Sequence, residues 1–314
     1  MTPMTPAKRA RALIVAAALA CSAALSQGVA PGAPRSAAPD ALRAGFERAR
    51  QAAVADLFDR PLYLTSVETA EFMQGDIYSR TDLPYAELRR VMVQGGSWCG
   101  VLMLHLNMQY CRASGAAGHE LLDAGIGRKF DQALEDLYWL RFGLTVVRAD
   151  DEYIQVALQA PAGPFGTHDY RIGVEAVPVV GGSAGGGALL HLTYAYGYGS
   201  AARWAMQAYL ATLGSGKVGF SIIGRQPDGK PIRVSGLRGV LERNTLRYQL
   251  AIEAFLAAQA LPPERRQAQR LQDWFNATER YAPQLHEIDR EAYLAMKQHQ
   301  AQRQLSQAPP PRSP

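Results

Sequence analysis

A succession of strand-like segments with no helix between them most constrains the fold of this chain. Between Glu120 and Tyr198 five stretches are typical of strands, namely 120–127, 137–149, 152–160, 168–180 and 188–198. Successive parallel strands need a crossover of about a dozen or more residues, usually a helix, and this region has no room for one. The sequence therefore predicts an antiparallel sheet, with the glycine-rich segment 181–187 as a hairpin loop between the last two strands.

Further elements are predicted on both sides of this run. They are helices at 41–57, 84–94, 200–213 and 236–261, and strands within 62–83 and at 217–224. The apolar stretch 97–111 fits either a short helix or a buried strand. The order of these elements indicates an α+β fold rather than a doubly wound sheet. Strands come first, then short helices, then the antiparallel strands, and last a long helix with an apolar side.

This order of elements resembles the START-like (SRPBCC) helix-grip family. The resemblance is carried by 75–102, where a strand runs into a proline-led helix and a tryptophan follows, and by the long helix that begins at Gly236. It covers roughly residues 60–258 and departs from the family at 200–224, where a helix precedes the last strand. The resemblance implies a curved antiparallel sheet that grips a long C-terminal helix around a cavity for a lipid, sterol-like or polyketide-like ligand. The chain also resembles a group of exported proteobacterial proteins, a likeness that implies no activity.

The N-terminus has the layout of a secretory signal peptide. Three basic residues within the first eleven precede an unbroken apolar run from Ala12 to Ala20, followed by small residues. The run is about half as long as a membrane-spanning helix requires. We therefore predict that 1–26 directs export to the periplasm, with a lipid anchor through Cys21 as the alternative.

The remaining chain divides by composition. We expect a flexible leader at 27–39, a START-like domain at 40–260, a helical extension at 261–302 and a disordered tail at 303–314. The chain has 33 Lys and Arg against 28 Asp and Glu, but three of these cations lie in the signal peptide. The excess on the exported part is therefore small, and we expect no nucleic-acid partner.

The cysteines predict a disulfide. If Cys21 leaves with the signal peptide, Cys99 and Cys111 remain, and an even pair in an oxidising compartment favours a bridge. A metal site would recruit His105, which lies between them. Two cysteines and one histidine make an incomplete site, so neither a metal nor another cofactor is expected.

The long helix carries the densest polar cluster of the sequence. Its members are Arg238, Glu242, Arg243, Asn244, Arg247 and Tyr248. Arg243 and Arg247 are four residues apart, so they share one side of the helix and repel unless an anion or other carboxylates lie between them. This arrangement suits a lipid phosphate or a fatty-acid carboxylate, which arginine binds bidentately. The alternative is a solvated face with internal ion pairs.

Two smaller groups complete the predicted ligand site. Trp98 and His105 surround the predicted disulfide; with Asn107, His105 could act as a general base, or these residues could be core side chains whose polar atoms bond to the backbone. Tyr194 and Tyr196 share one strand face, where they either line a ligand cavity or form a surface ladder.

Together these features favour a binding protein over an enzyme. The ligand would be an apolar or lipid-like molecule, desolvated between sheet and helix while Arg243 or Arg247 neutralises its polar or anionic head. Transient membrane contact, and an envelope protein partner bound through 264–302, are further expectations. The alternatives are a cyclase- or hydrolase-type enzyme on the same fold, using His105 or His168, and a structural protein of the envelope.

Overall fold

The computed structural model describes residues 37–53, 57–179, 186–200, 203 and 216–307. The predicted signal peptide, most of the predicted leader, and the predicted helix at 200–213 apart from Ser200 and Arg203 lie outside the described residues. The described residues from Pro39 onwards form one compact unit. Within the described residues, no helix is long and apolar enough to cross a bilayer.

Eight strands form one antiparallel sheet in the order β1-β2-β8-β7-β6-β5-β4-β3. The strands are β1 (Leu62–Glu68), β2 (Phe72–Thr81), β3 (Met108–Ser114), β4 (Leu121–Ile126), β5 (Tyr138–Ala149), β6 (Ile154–Ala162), β7 (Thr167–Pro178) and β8 (Ala188–Tyr198). A separate hairpin pairs β9 (Ile222–Arg225) with β10 (Pro231–Arg233). The predicted run of antiparallel strands is therefore confirmed.

Helices lie before, between and after the strands. They are α1 (Ala37–Ala52), α2 (Tyr85–Met92), α3 (Gly95–Leu102), α4 (Gly236–Ala257), α5 (Pro263–Glu279), α6 (Ala282–Leu285) and α7 (Arg290–Ser306). The stretch 97–111 contains both elements considered for it, because α3 ends at Leu102 and β3 begins at Met108.

The long helix α4 crosses one face of the sheet, which we call the inner face and which carries Ile77 and Leu192 in the core. Gln249 donates a hydrogen bond of 3.0 Å to the Ser79 hydroxyl on β2. Nearby, a side chain at Gly75 would collide with Thr245 of α4, so the helix can approach β2 closely only because this residue has no Cβ. The predicted α+β fold, a curved antiparallel sheet gripping a long helix, is thus confirmed.

Helix α4 is buried on almost every side. The charged residues Glu242, Arg243 and Arg247 are at most 4% exposed. Helix α5 covers the side of α4 that faces away from the sheet, and Trp274 donates a hydrogen bond of 3.1 Å to the Arg247 carbonyl. A solvated polar face, the alternative considered from sequence, is therefore wrong for these three residues.

Helix α7 covers the sheet edge formed by β3. The Gln304 side chain accepts a hydrogen bond of 2.9 Å from the Cys111 backbone amide, which has no strand neighbour on that side. Tyr293 on the same helix donates to the Leu104 carbonyl at 2.9 Å. An unpaired edge of this kind invites association with other chains, and here the chain's own helix occupies it.

Candidate functional site

Four tyrosines meet between the sheet and α4, and we call them the tyrosine cluster. They are Tyr170 on β7, Tyr194 and Tyr196 on β8, and Tyr248 on α4. Tyr170 stacks on Tyr196 with ring centroids 5.1 Å apart, and Tyr194 lies 5.2 Å from Tyr248. The alternation of β8 turns Tyr194 and Tyr196 towards the inner face, so these residues line the interior and do not form a surface ladder.

The tyrosine cluster is buried without being fully closed. Tyr194, Tyr196 and Tyr248 retain 7%, 6% and 8% of their accessible surface. Within the part of the chain that the structure describes, the Tyr194 and Tyr248 hydroxyls form no hydrogen bond. Burial raises the pKa of both phenols, so they remain neutral donors in an apolar setting. Because both side chains keep some accessible surface, these two hydroxyls are free to bond to water or to a ligand oxygen.

His105 lies beside the tyrosine cluster and is neutral. Its ring stacks on Tyr248 with centroids 5.1 Å apart. His105 Nδ1 accepts a hydrogen bond of 3.2 Å from the backbone amide of Asn107. The ring proton is therefore on Nε2, which donates to Asn244 Oδ1 at 3.4 Å. Burial, and then the positive charge of Arg247, lower the pKa of His105 to about 3. Because both ring nitrogens are engaged, this histidine has no free lone pair to serve as a general base.

Four cations surround one carboxylate at the other side of Asn244, and we call them the basic cluster. They are Arg243 and Arg247 on α4, Lys129 after β4 and Lys217 before β9, all paired with Glu287. Glu287 Oε1 accepts from Arg243 and, at 3.1 Å, from Arg247. Glu287 Oε2 accepts from Lys129 and, at 2.6 Å, from Lys217. The carboxylate that the spacing of Arg243 and Arg247 requires therefore comes from the chain itself.

The pKa shifts in the basic cluster reflect burial first and the neighbouring charges second. Burial raises the pKa of the Glu287 carboxyl, but hydrogen bonds from Lys129 and Lys217 outweigh it and bring the pKa to about 2. Burial lowers the pKa of Lys129 to about 8, even with Glu287 beside it. Burial and the neighbouring Arg243 lower the pKa of Arg247 to about 10. Glu287 is thus held as an anion, while the cations around it repel one another.

Asn244 joins the two clusters. Its Oδ1 accepts from His105 Nε2 at 3.4 Å and from Arg247 Nη1 at 3.3 Å. A short chain of contacts therefore runs from the basic cluster through His105 to Tyr248.

The other predicted site residues lie elsewhere. Trp98 is fully buried, and its indole donates to the Met92 carbonyl at 2.7 Å, as a core residue does. Glu242 accepts from the Phe220 and Ser221 amides, at 2.6 and 2.9 Å. Arg238 donates to Ser66 at 2.7 Å, away from the basic cluster.

The structure adds residues that sequence reasoning missed. Tyr170 belongs to the tyrosine cluster, while Lys129, Lys217 and Glu287 complete the basic cluster. Glu287 is not one of the site residues that the sequence predicts. The sequence indicated such a carboxylate only indirectly, because Arg243 and Arg247 lie on one side of the helix and repel unless an anion lies between them.

The predicted disulfide is present between Cys99 on α3 and Cys111 on β3, with their Cα atoms 5.2 Å apart. The residues that the structure describes contain no group of three or more His, Cys, Asp or Glu arranged to hold a metal ion. His168 is exposed and bonds to Asp169 at 2.8 Å, near the beginning of β7.

Three cavities open at other places in the described part of the chain. The first, of about 620 Å³, is lined by His168 and Tyr198. The second, of about 470 Å³, lies between α1 and the outer face of the sheet, beside Phe46. The third, of about 250 Å³, borders Ser66 and Arg238. None of these includes a residue of the tyrosine cluster among its lining.

No family model matches the chain, and no curated protein matches it. Among solved structures, truncated norcoclaurine synthase from Thalictrum flavum is 11% identical, with a TM-score of 0.31 over 47% of this chain and 91% of its own. Ara h 8.0201 is 10% identical, with a TM-score of 0.33 over 60% and 99%. A STAR-related lipid transfer protein fragment from Xanthomonas axonopodis is 13% identical, with a TM-score of 0.30 over 48% and 83%. These likenesses are too remote to carry an argument about ligand or activity.

Proposed function

We propose that this protein binds an apolar ligand with a polar or anionic head between the inner face of its sheet and α4. The apolar body would contact the tyrosine cluster, and the head would lie towards Arg243 and Arg247. Binding would proceed by desolvation of the body in this interior, with no covalent step.

The proposal rests chiefly on Tyr194 and Tyr248. Both side chains are inside the fold, both keep some accessible surface, and neither hydroxyl has a hydrogen-bond partner among the described residues. Because both side chains keep some accessible surface, their hydroxyls can bond to water in the free protein. A ligand that carries an oxygen in its apolar body would take the place of that water, and such ligands include sterol-like and polyketide-like molecules.

Binding accounts for His105 better than catalysis does. A general base needs an accessible nitrogen lone pair, and His105 uses Nδ1 and Nε2 for Asn107 and Asn244. We infer that His105 positions Asn244 and provides a flat surface beside Tyr248.

The experiment compares two probes by calorimetric titration. Deoxycholate has a sterol body, hydroxyl groups and a carboxylate, whereas dodecanoate has the carboxylate and no hydroxyl. In the double variant Tyr194→Phe, Tyr248→Phe we expect deoxycholate to bind about tenfold more weakly, because one hydrogen bond contributes about 1 kcal/mol or slightly more. Dodecanoate should bind with unchanged affinity.

Tyr153→Phe is the matched control, because Tyr153 is a fully buried tyrosine whose hydroxyl bonds to Glu175 instead of facing α4. Its affinity for both probes should equal that of the wild type. Failure of the wild type to bind either probe, or an equal loss in the control and the double variant, would overturn the proposal.

We also propose that the protein is exported to the periplasm. The signal-peptide pattern of 1–26 supports export, and the Cys99–Cys111 bridge is the kind of bond that persists in an oxidising compartment. Cell fractionation with intact-mass measurement tests this. We expect a periplasmic product that has lost the signal peptide, and a full-length cytoplasmic product would contradict the proposal.

A further inference from the structure

We infer that the basic cluster is an anion-binding site in which Glu287 is a built-in occupant, displaced when a carboxylate or phosphate head binds. The source of that head, an apolar ligand in the interior, rests on the proposed function. The anion site itself rests on the geometry of the cluster.

The first observation is the charge balance. Arg243, Arg247, Lys129 and Lys217 all pair with the single carboxylate of Glu287. Among the described residues no second carboxylate forms an ion pair with any of these four cations. Four positive charges against one negative charge repel one another in this partly buried position. A bound group with more negative charge or more acceptor oxygens than one carboxylate would reduce this repulsion.

The second observation is an unused donor. Arg247 is 4% exposed, and its Nε is buried without a hydrogen-bond partner, although Nη1 and Nη2 are both bonded. Glu287 reaches Arg247 only through Nη2, so its carboxylate does not form the bidentate pair that the guanidinium allows. A carboxylate or phosphate group could bond to both Nε and Nη2.

The third observation concerns what remains when the Glu287 carboxylate moves away. Arg243 Nε also donates to the Gln284 carbonyl at 2.6 Å, and Arg247 Nη2 donates to the Leu285 carbonyl at 3.1 Å. These backbone bonds hold both guanidinium groups in place independently of the carboxylate. The site is therefore preorganised for another anion.

Access is provided from the lysine side. The Lys129 and Lys217 side chains are 37% and 35% exposed, whereas Glu287 is only 5% exposed. Glu287 lies in the non-helical segment between α6 and α7, so its side chain can leave without unwinding either helix. On the opposite side, Asn244 and His105 lead to the tyrosine cluster.

The experiment measures binding of dodecanoate, dodecanol and inorganic phosphate to the wild type and to Glu287→Gln. The amide keeps the shape of the side chain and removes its charge. We expect dodecanoate to bind the variant roughly tenfold more tightly, since a competing internal carboxylate is gone, while dodecanol affinity stays the same. Inorganic phosphate should raise the melting temperature of the variant more than that of the wild type. If the variant folds only with phosphate present, that dependence is itself the expected anion effect.

A second variant keeps the inference testable without a change at a buried position. Lys129→Met with Lys217→Met removes the exposed cations and should weaken dodecanoate about tenfold, with dodecanol unchanged. Lys230→Met is the matched control, because Lys230 pairs with Asp228 in the β9–β10 hairpin, outside the cluster. It should leave the affinity for both probes at the wild-type value.

The outcomes separate the two proposals. If the wild type and Glu287→Gln bind dodecanoate equally, and phosphate stabilises them equally, the anion site is refuted even where dodecanol binds. If phosphate selectively stabilises Glu287→Gln but dodecanol and dodecanoate bind neither protein, the anion site stands for free anions and the proposed apolar function fails.

Discussion

The ring of Tyr78 lies parallel to the imidazole of His191, with the centroids 4.1 Å apart, on the outer face of the sheet. His191 Nε2 lies 2.9 Å from Asp76 Oδ1, and Nδ1 lies 2.9 Å from Glu175 Oε2. Because both ring nitrogens face carboxylates, the imidazole is held as a cation between two anions. This arrangement ties β2, β8 and β7 together from the side opposite to α4.

The first prediction concerns pH. Burial lowers the pKa of His191, but the hydrogen bonds and charges of Asp76 and Glu175 outweigh it and raise the pKa to about 9. The folded protein therefore binds the proton more tightly than the unfolded chain, whose histidine titrates near 6.5. The stabilisation is fully present below about pH 6.5 and disappears as the pH rises through about 9. Urea unfolding from pH 6 to 10 measures this: the free energy of unfolding of the wild type should exceed that of His191→Gln by about 3 kcal/mol less at pH 10 than at pH 6. A constant difference across this range would contradict the charged state of His191.

The sheet could be predicted because its two faces differ. Alternate residues of β8 point into the core and towards the outer face, and this strand begins and ends at the predicted Ala188 and Tyr198. The strand predicted at 217–224 is mostly not a strand. Instead, the backbone amides of Phe220 and Ser221 donate to the buried Glu242 carboxylate, a tertiary contact that no local pattern encodes.

The candidate site was predictable only in part for the same reason. The four-residue spacing of Arg243 and Arg247 indicated the need for an anion, which helix geometry alone establishes. The residue that meets it, Glu287, lies 44 positions after Arg243 and reaches it through the packing of α5 and α6. Likewise, the contact of Tyr170 with Tyr196 depends on strand register, which is irregular between His168 and Arg171.

The second prediction concerns Lys297, a buried lysine on α7. Its ammonium donates to the carbonyls of His105 and Met108, both at 2.7 Å, and to Gln300 at 3.1 Å. Lys297→Met would remove all three of these hydrogen bonds, although the His105 carbonyl keeps the Met108 amide at 3.1 Å, so we expect the free energy of unfolding at pH 6 to fall by about 3 kcal/mol. The exposed Lys230→Met should change the free energy of unfolding by less than about 0.5 kcal/mol. An effect of Lys297→Met as small as that of the control would mean that water replaces the ammonium.

The third prediction compares two glycines of the same helix, α3. A Cβ at Gly100 would collide with the Phe255 ring of α4, whereas a Cβ at Gly96 would have no heavy atom within 4 Å. Gly100→Ala should therefore destabilise the protein by about 2 kcal/mol through overpacking. Gly96→Ala should be neutral or stabilising by up to about 1 kcal/mol, because alanine favours the helix. Thermal unfolding of both variants measures this. If both variants unfold at the same temperature, the Phe255 ring moves aside without a loss of stability. The close approach of α3 to α4 would then not depend on Gly100.

The last prediction concerns the bridge between Cys99 and Cys111, which closes a loop with a sequence separation of 12. Such a loop restricts the unfolded chain, and a bond of this span contributes about 3 kcal/mol in the chain-entropy model. Denaturant unfolding with and without dithiothreitol should therefore show a loss of about this size on reduction. Cys99→Ala with Cys111→Ala is the control, because it has no bond to reduce, and dithiothreitol should leave its stability unchanged. If reduction lowers both proteins equally, the reagent acts elsewhere. If it lowers neither, the bridge does not restrict the unfolded chain as the chain-entropy model requires, and the prediction is wrong.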